Sequence, residues 1–254
     1  MSWAQRRKAT YVFGILIFCL IIFLIIIFVF LNKTPTCFDG KQNQGEAGID
    51  CGGPCQILCR AEYTDPVVIW GPRWSKVLSS GTYNFLTYIQ NPNIGAGAYN
   101  VPYNMKVYDR EDVLLYQKNG FTYIPPNNNF VIFEDNINLH DKVPFRTRIE
   151  FFTGAIWQKM ESQELSITAV SKQLADVNTK PRLFVTLKNS TLKPIENIEA
   201  VAILYDENNN AIAFSRTKVD YIDKDSLENI VFTWPEPLGQ AIVRIDVVSK
   251  VLPK

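Results

Sequence analysis

The sequence predicts a mainly β chain: one N-terminal transmembrane helix, a disulfide-rich stalk and two tandem β-sandwiches. Three observations carry this reading. Tyr11 to Leu31 is an uncharged apolar run, four of the five cysteines fall between residues 37 and 59, and residues 60–254 repeat themselves at a period near 98.

The apolar run holds 21 residues with no charge, Pro, Asn or Gln. At 1.5 Å per residue a helix of that length reaches roughly 31 Å, enough to cross the hydrocarbon core. A cleaved signal peptide has a shorter apolar region, about 7–15 residues, and a small-x-small exit. Here the run ends Val-Phe-Leu-Asn-Lys-Thr-Pro, and Phe18 precedes Cys19 where a lipoprotein signal needs a small residue. Arg6, Arg7 and Lys8 lie before the run, whereas Lys33 and Lys41 are the first basic residues after it. Positive charge stays inside. The expectation is a single-pass cell-membrane protein: residues 1–10 a cytoplasmic tail with Trp3 and Tyr11 near the inner interface, residues 11–31 in the lipid bilayer, and the C-terminus outside.

Residues 32–59 form the stalk. Cys19, inside the span, reads as an apolar filler. Cys37, Cys51, Cys55 and Cys59 are an even set on the outer side, and thiols there oxidise, so two disulfides are expected. Four cysteines allow three pairings, and spacing does not choose among them. Zinc is the competing reading, because Cys51, Cys55 and Cys59 have ligand-like intervals. Between the first two cysteines, Asp39, Asn43, Glu46 and Asp50 supply side-chain oxygens. Gly40, Gly45, Gly48, Gly52 and Gly53 let the backbone turn back on itself. Such a loop could cage Ca²⁺, although the spacing is not that of an EF-hand; the alternative is that these side chains cap turns.

The string Cys37-Phe-Asp-Gly-Lys-Gln-Asn43-Gln-Gly-Glu46-Ala-Gly-Ile-Asp50-Cys51-Gly-Gly-Pro-Cys55 resembles a Cys-rich segment of uncharacterised bacterial extracytoplasmic, membrane-anchored proteins. The resemblance covers about 20 residues and implies location and crosslinking more than activity.

The repeat rests on four landmarks in one order. Asn91 parallels Asn189 at an offset of 98, Val107-Tyr-Asp109 parallels Leu204-Tyr-Asp206 at 97, Tyr123-Ile124 parallels Tyr221-Ile222 at 98, and Val131–Phe133 parallels Ile230–Phe232 at 99. Two copies follow, residues 60–165 and 166–254, with the boundary near Gln163 to Ser166. Leu183–Leu187, Ala200–Tyr205, Val131–Phe133 and Ala241–Val248 are short, rich in Val, Ile, Phe and Tyr, and bounded by Asn, Pro and Gly, which is strand chemistry. Five to eight strands in about 98 residues is the size of an immunoglobulin-like sandwich. Each copy is large enough for its own core, so a fragment from about Leu165 onward is expected to be soluble and β-rich.

Ala202-Ile-Leu-Tyr-Asp206 with the turn Asn208–Ala211, and Met105-Lys-Val-Tyr-Asp109 in the first copy, resemble the strand and turn of the FxLYD family. Both copies lack the family's leading Phe, and Asn stands for the turn glycine. The resemblance implies a β-sandwich outside the membrane that attaches and binds.

Charge and motifs narrow the function. Lys+Arg number 26 and Asp+Glu 25, a balance that argues against a nucleic-acid binder, which would need a basic face. His140 is the only histidine, which disfavours His catalysis. No P-loop, nucleophile elbow or dinucleotide fingerprint appears. Glu111-Asp112, Glu134-Asp135 and Asp223/Asp225 read as solvated turns. Trp70, Trp74, Trp157 and Trp234 read as sandwich core, with an aromatic platform as the alternative. The sequons Asn32-Lys-Thr34 and Asn189-Ser-Thr191 would matter only in a eukaryotic secretory pathway. The expected function is a non-catalytic, membrane-anchored structural or protein-binding module with an extracytoplasmic protein or cell-envelope partner. An accessory subunit of an envelope secretion or pilus machine is the alternative, and an extracytoplasmic enzyme a weaker one.

Overall fold

The computed structural model describes residues 3–31, 36–152, 154–161 and 167–253. The chain divides into two compact units, Met1–Cys55 and Gln56–Lys254.

In the first unit, Trp3–Leu31 is one continuous helix, α1. Its stretch Thr10–Phe28 is long and apolar enough to cross a membrane. The side chains of Tyr11 to Phe28 lie exposed, apart from a half-buried Ile27. A run of Ile and Phe on every face has no amphipathic stripe to bury against a protein core. In hydrocarbon the helix satisfies its own backbone groups, which is why such a sequence is stable there. The guanidinium of Arg7 sits 3.9 Å from the Trp3 ring centre.

The second unit is entirely β in its regular elements, apart from a 3₁₀ turn at Arg60–Glu62. Its first half holds β1 (Val67–Leu78), β2 (Thr82–Gln90), β3 (Ala96–Tyr108), β4 (Leu114–Ile124), β5 (Asn129–Asn138), β6 (Arg146–Phe151) and β7 (Trp157–Lys159). The second half holds β8 (Ile167–Ala175), β9 (Arg182–Asn189), β10 (Ile195–Tyr205), β11 (Ala211–Ile222), β12 (Leu227–Thr233) and β13 (Arg244–Val251). The sheets are β1-β2-β5 and β4-β3-β6, with β7 also on β3, and then β8-β9-β12 and β11-β10-β13. Replacing β1 to β6 by β8 to β13 in order converts one pair of sheets into the other. The duplication is therefore a duplication of topology, and the strands of the two halves do not mix.

Register corrects one of the four landmarks. Leu86 faces Phe133 across β2 and β5, and Phe184 faces Val231 across β9 and β12. Phe133 is thus the counterpart of Val231, at an offset of 98 rather than 99. Side-chain direction requires it, since Ile132 and Ile230 both belong to sandwich cores and a one-residue slip would turn each strand inside out.

The first sandwich starts earlier than residue 60. Leu58 N–H donates to the Trp157 carbonyl and Lys159 N–H to the Gln56 carbonyl, so an isolated bridge between Ile57 and Gln158 ties the chain to the edge of β7. Leu58 and Tyr63 pack on the core beside Trp157. The boundary near Gln163 to Ser166 lies outside the described residues.

The four sheets stack as layers. Inward residues of the first copy, such as Phe85, Ile89, Tyr103 and Ile132, fill two clusters, and Leu183, Leu187, Ala202 and Phe232 fill that of the second. A further cluster joins the copies: Leu86, Val131 and Phe133 from β2 and β5 meet Val201, Ile203, Tyr205 and Phe214 from β10 and β11, with Trp70, Tyr88 and Val248 at its border. Sheet β1-β2-β5 is covered on both faces, and so is β11-β10-β13. This accounts for the unbroken apolar run Ala200–Tyr205, since a strand covered on both sides needs no polar alternation. Two end faces remain in solvent, that of β4-β3-β6 and that of β8-β9-β12.

Candidate functional site

The stalk loop is held by its own side chains. Cys37 is disulfide-bonded to Cys55, and Cys51 and Cys59 are also disulfide-bonded, whereas Cys19 is free. Two of the cysteines that could have held a metal with Glu46 are therefore already joined to each other. The four oxygen-bearing residues proposed for calcium do come together, but around backbone amides. The Asp50 carboxylate accepts from Asp39 N–H and Gly40 N–H at 2.9–3.1 Å. Asp39 accepts from Lys41 N–H at 2.9 Å and from Asn43 Nδ2 at 3.0 Å. Buried Glu46 accepts from Asn43 N–H and Asp50 N–H, both at 3.3 Å. The Asn43 amide bond is the chief reason that the Asp39 carboxyl lies below its usual range. Donors meet the carboxylates of Asp39, Glu46 and Asp50, which is turn-capping chemistry, whereas Asn43 Oδ1 is buried with no hydrogen-bond partner among the described residues. Intact-mass spectrometry of the unreduced chain should read about 4 Da below the reduced chain, one hydrogen per bonded cysteine, and alkylation without reductant should label Cys19 alone.

The tryptophans are not surface platforms. Trp157 is buried and stacks on Tyr63 at 4.6 Å between ring centres; Trp234 is buried in the second core. Trp70 stacks on Tyr88 at 5.5 Å beside the junction of the copies, and Trp74 packs on a core of the first copy.

Most of the carboxylate pairs stay in turns. Asp112 follows β3 at a φ of 61° and pairs with Arg146 at 2.8 Å. Asp225 has a φ of 47° and pairs with Lys188 at 3.4 Å, while Asp223 accepts from Lys224 N–H. These residues do not converge on a cleft. His140 lies in the turn after β5 with its N–H donated to Asn138 Oδ1. Its carbonyl is 1.8 Å from where a Cβ on Gly81 would be, so only glycine, at a φ of 91°, lets the two turns meet.

Glu134-Asp135 departs from the turn reading. Both lie in β5, and Glu134 is 4% exposed. Its carboxylate accepts from the Tyr103 hydroxyl and from Lys118 Nζ. Period-two alternation from Phe130 and Ile132 puts Glu134 on the core face, so the signal was present in the sequence. Burial first, and Glu134 second, push the Tyr103 phenol far above its ordinary range. The Tyr103 ring crosses β4 where Gly120 stands, 2.5 Å from the position a Cβ would take. Gly120→Ala should displace the ring from Glu134 and destabilise by about 1–3 kcal/mol, the usual cost of overpacking; an unchanged urea midpoint would contradict this.

Tyr103, Lys118, Glu134 and Asp135 line one side of a cleft of about 410 Å³, and Glu199, Arg216 and Lys250 of the second copy line the other. It gathers six charged side chains from the two copies, together with the Tyr103 phenol. Sequence reading missed it because the two halves are brought together only by stacking. Chemically it is a set of ion pairs: Lys118 with Glu134, Arg216 with Asp135 and Glu199, and Lys250 with Glu199.

No protein-family model matches the chain, and no curated protein matches it. Among solved structures it is similar to a red sea bream transglutaminase, at 9% identity over 72% of this chain and 30% of that one, with a TM-score of 0.23. A β-glucuronidase from glycoside hydrolase family 2 aligns at 12% identity over 81% of this chain and 25% of that one, with a TM-score of 0.21. The chain thus spans about a third or less of each of those proteins.

Proposed function

We propose that this chain is a single-pass membrane protein whose two stacked β-sandwiches serve outside the cell as a structural or protein-binding module without catalysis. The observation that carries the reading is the apolar helix Thr10–Phe28, whose side chains find cover in lipid and none in the chain itself. Disulfides at Cys37, Cys51, Cys55 and Cys59 support an oxidising compartment, and the three basic residues before the helix support a cytoplasmic N-terminus. The resemblance of the stalk segment to bacterial extracytoplasmic proteins, and of the repeat to FxLYD modules, supports the same location and an attaching role. Ionisable groups engaged with one another or with backbone amides support binding over chemistry.

Protease added to intact cells or spheroplasts should digest residues 56–254, leaving a fragment that contains the span. Protection until the membrane is permeabilised would reverse the topology. Purification in mild detergent should then recover an envelope protein in stoichiometric amount. Turnover of a substrate by the purified chain, lost on substitution in the charged cleft, would replace the binding reading with an enzyme.

A further inference from the structure

On the face that meets the first copy, the second brings Glu199 on β10, Arg216 on β11 and Lys250 on β13 to one cleft. On the same face Lys218, opposite Glu199, is exposed, and Arg244 and Asp246 pair with each other. Glu199 and Lys250 are each only 8% exposed. Lys250 Nζ lies 3.6 Å from Glu199 Oε1, and Arg216 Nη1 lies 3.5 Å from Glu199 Oε2. Two cations against one carboxylate leave this trio with a net charge of +1. The first copy answers with Asp135, whose Oδ2 lies 2.7 Å from Arg216 Nη2. Glu134 beside it is already neutralised by Lys118.

The apolar part of the junction does not choose an alignment by itself. Hydrophobic burial is non-directional, and two pleated faces can slip by one strand spacing, about 4.8 Å, and still cover each other. A slipped stack would carry Asp135 away and leave Arg216, half-buried beside the Glu199–Lys250 pair, as an excess cation without a counter-charge, which is unfavourable next to that buried pair. We propose that charge balance across this cleft is a lock on the register of the two copies, acting beside the bonds from Ser79 to Glu236 and from Asn84 to the Phe214 carbonyl, with Asp135 neutralising the Glu199–Arg216–Lys250 trio in one alignment. Burial already holds the Lys250 ammonium below the ordinary lysine range, with Glu199 drawing it back up. The trio is therefore poorly placed to absorb a further unmatched charge.

The lock makes a requirement that a simple contact does not: balance matters, rather than the Asp135–Arg216 bond. The test uses the full chain in detergent micelles, with amide hydrogen exchange read at β2, β5 and β10. Asp135→Asn should speed exchange in those strands about tenfold, while β9 and β12 keep their protection. Asp135→Asn combined with Arg216→Met removes one charge of each sign and leaves Glu199 matched to Lys250. That double variant should return exchange to within about threefold of the wild type, although the bond is gone. Exchange unchanged in Asp135→Asn would overturn the lock, and so would a double variant no better than the single one. If Asp135→Asn alone does not fold, the double variant still decides: native-like exchange supports the lock, and failure to fold refutes it.

Discussion

Ile203→Lys should separate the two copies. Ile203 is fully buried in the cluster shared by the copies, and its counterpart in the first copy, by the 97-residue offset of β3 and β10, is Lys106. Lys106 lies on the solvent face of β4-β3-β6 and pairs with Glu150 at 3.3 Å. The substitution thus places at the junction the residue that the same backbone position already carries where no sheet covers it. The cross-strand carboxylate, Asp246 opposite Ile203 on β13, already pairs with Arg244 at 3.3 Å, so the lysine adds an excess charge to a buried junction, at a cost of about 3 kcal/mol. We expect a lower urea midpoint and loss of exchange protection in β2, β5 and β10, with the cores around Leu183 and Phe85 less affected. A variant that melts at the wild-type midpoint would show that the copies do not depend on this face. The reciprocal pair Asn104→Val and Lys106→Ile rebuilds on the free end face the Val201 and Ile203 of the covered one. It should make the chain associate head to tail in size-exclusion chromatography, because a heterologous contact of this kind does not close on itself. The same reasoning changes the expectation for a fragment beginning near Leu165. It would present Val201, Ile203, Tyr205, Phe214 and Val248 to water, and aggregation or capture of a separately made first copy is the outcome to look for.

Much of this architecture was legible in the residues. The apolar helix, the paired cysteines, the β character and the duplication all follow from local chemistry and from a period that survives in landmarks such as Tyr123-Ile124 and Tyr221-Ile222. The stacking of the copies was legible only in part. Ala200–Tyr205 is apolar at every position, while its counterpart Tyr103–Tyr108 alternates with Asn104 and Lys106. That contrast is the mark of one strand covered on both faces and one covered on a single face. What covers the second face is set by the whole surface, which no segment records. The charged cleft was illegible for the same reason: Asp135 and Arg216 are 81 residues apart, and neither has a neighbour in sequence that announces the other.

Asn189→Ala should be among the most damaging substitutions in the second copy, although it removes only an amide. Asn189 is fully buried at the end of β9. Its Nδ2 donates to the carbonyls of Lys193, Ile222 and Asp223 at 2.8, 3.2 and 2.9 Å, and its Oδ1 accepts from Thr191 N–H at 2.9 Å. Its own N–H donates to the Ser226 carbonyl. One side chain thus ties the ends of β9 and β11 and the approach to β10. Asn91 does the same in the first copy: Nδ2 donates to Ala96 and Pro125 carbonyls, both at 2.7 Å, Oδ1 accepts from Asn93 N–H at 3.1 Å, and the backbone N–H donates to Asn128. Pro125 and Asp223, like Asn128 and Ser226, are 98 residues apart, so the pair of asparagines is the duplicated staple of the fold. This use also decides the sequon at Asn189, whose amide is too buried and too fully bonded to accept a glycan in the folded chain. The Lys193 carbonyl keeps the Thr191 hydroxyl, so Ala orphans those of Ile222 and Asp223; at roughly 1–3 kcal/mol for each one buried the loss is about 3 kcal/mol, and Asn189→Asp should also destabilise because a carboxylate offers these carbonyls no donor. Thermal or urea unfolding of Asn91→Ala and Asn189→Ala measures both. Losses below about 1 kcal/mol in each would mean that water replaces the amide and that the repeat at these positions reflects something other than hydrogen bonding.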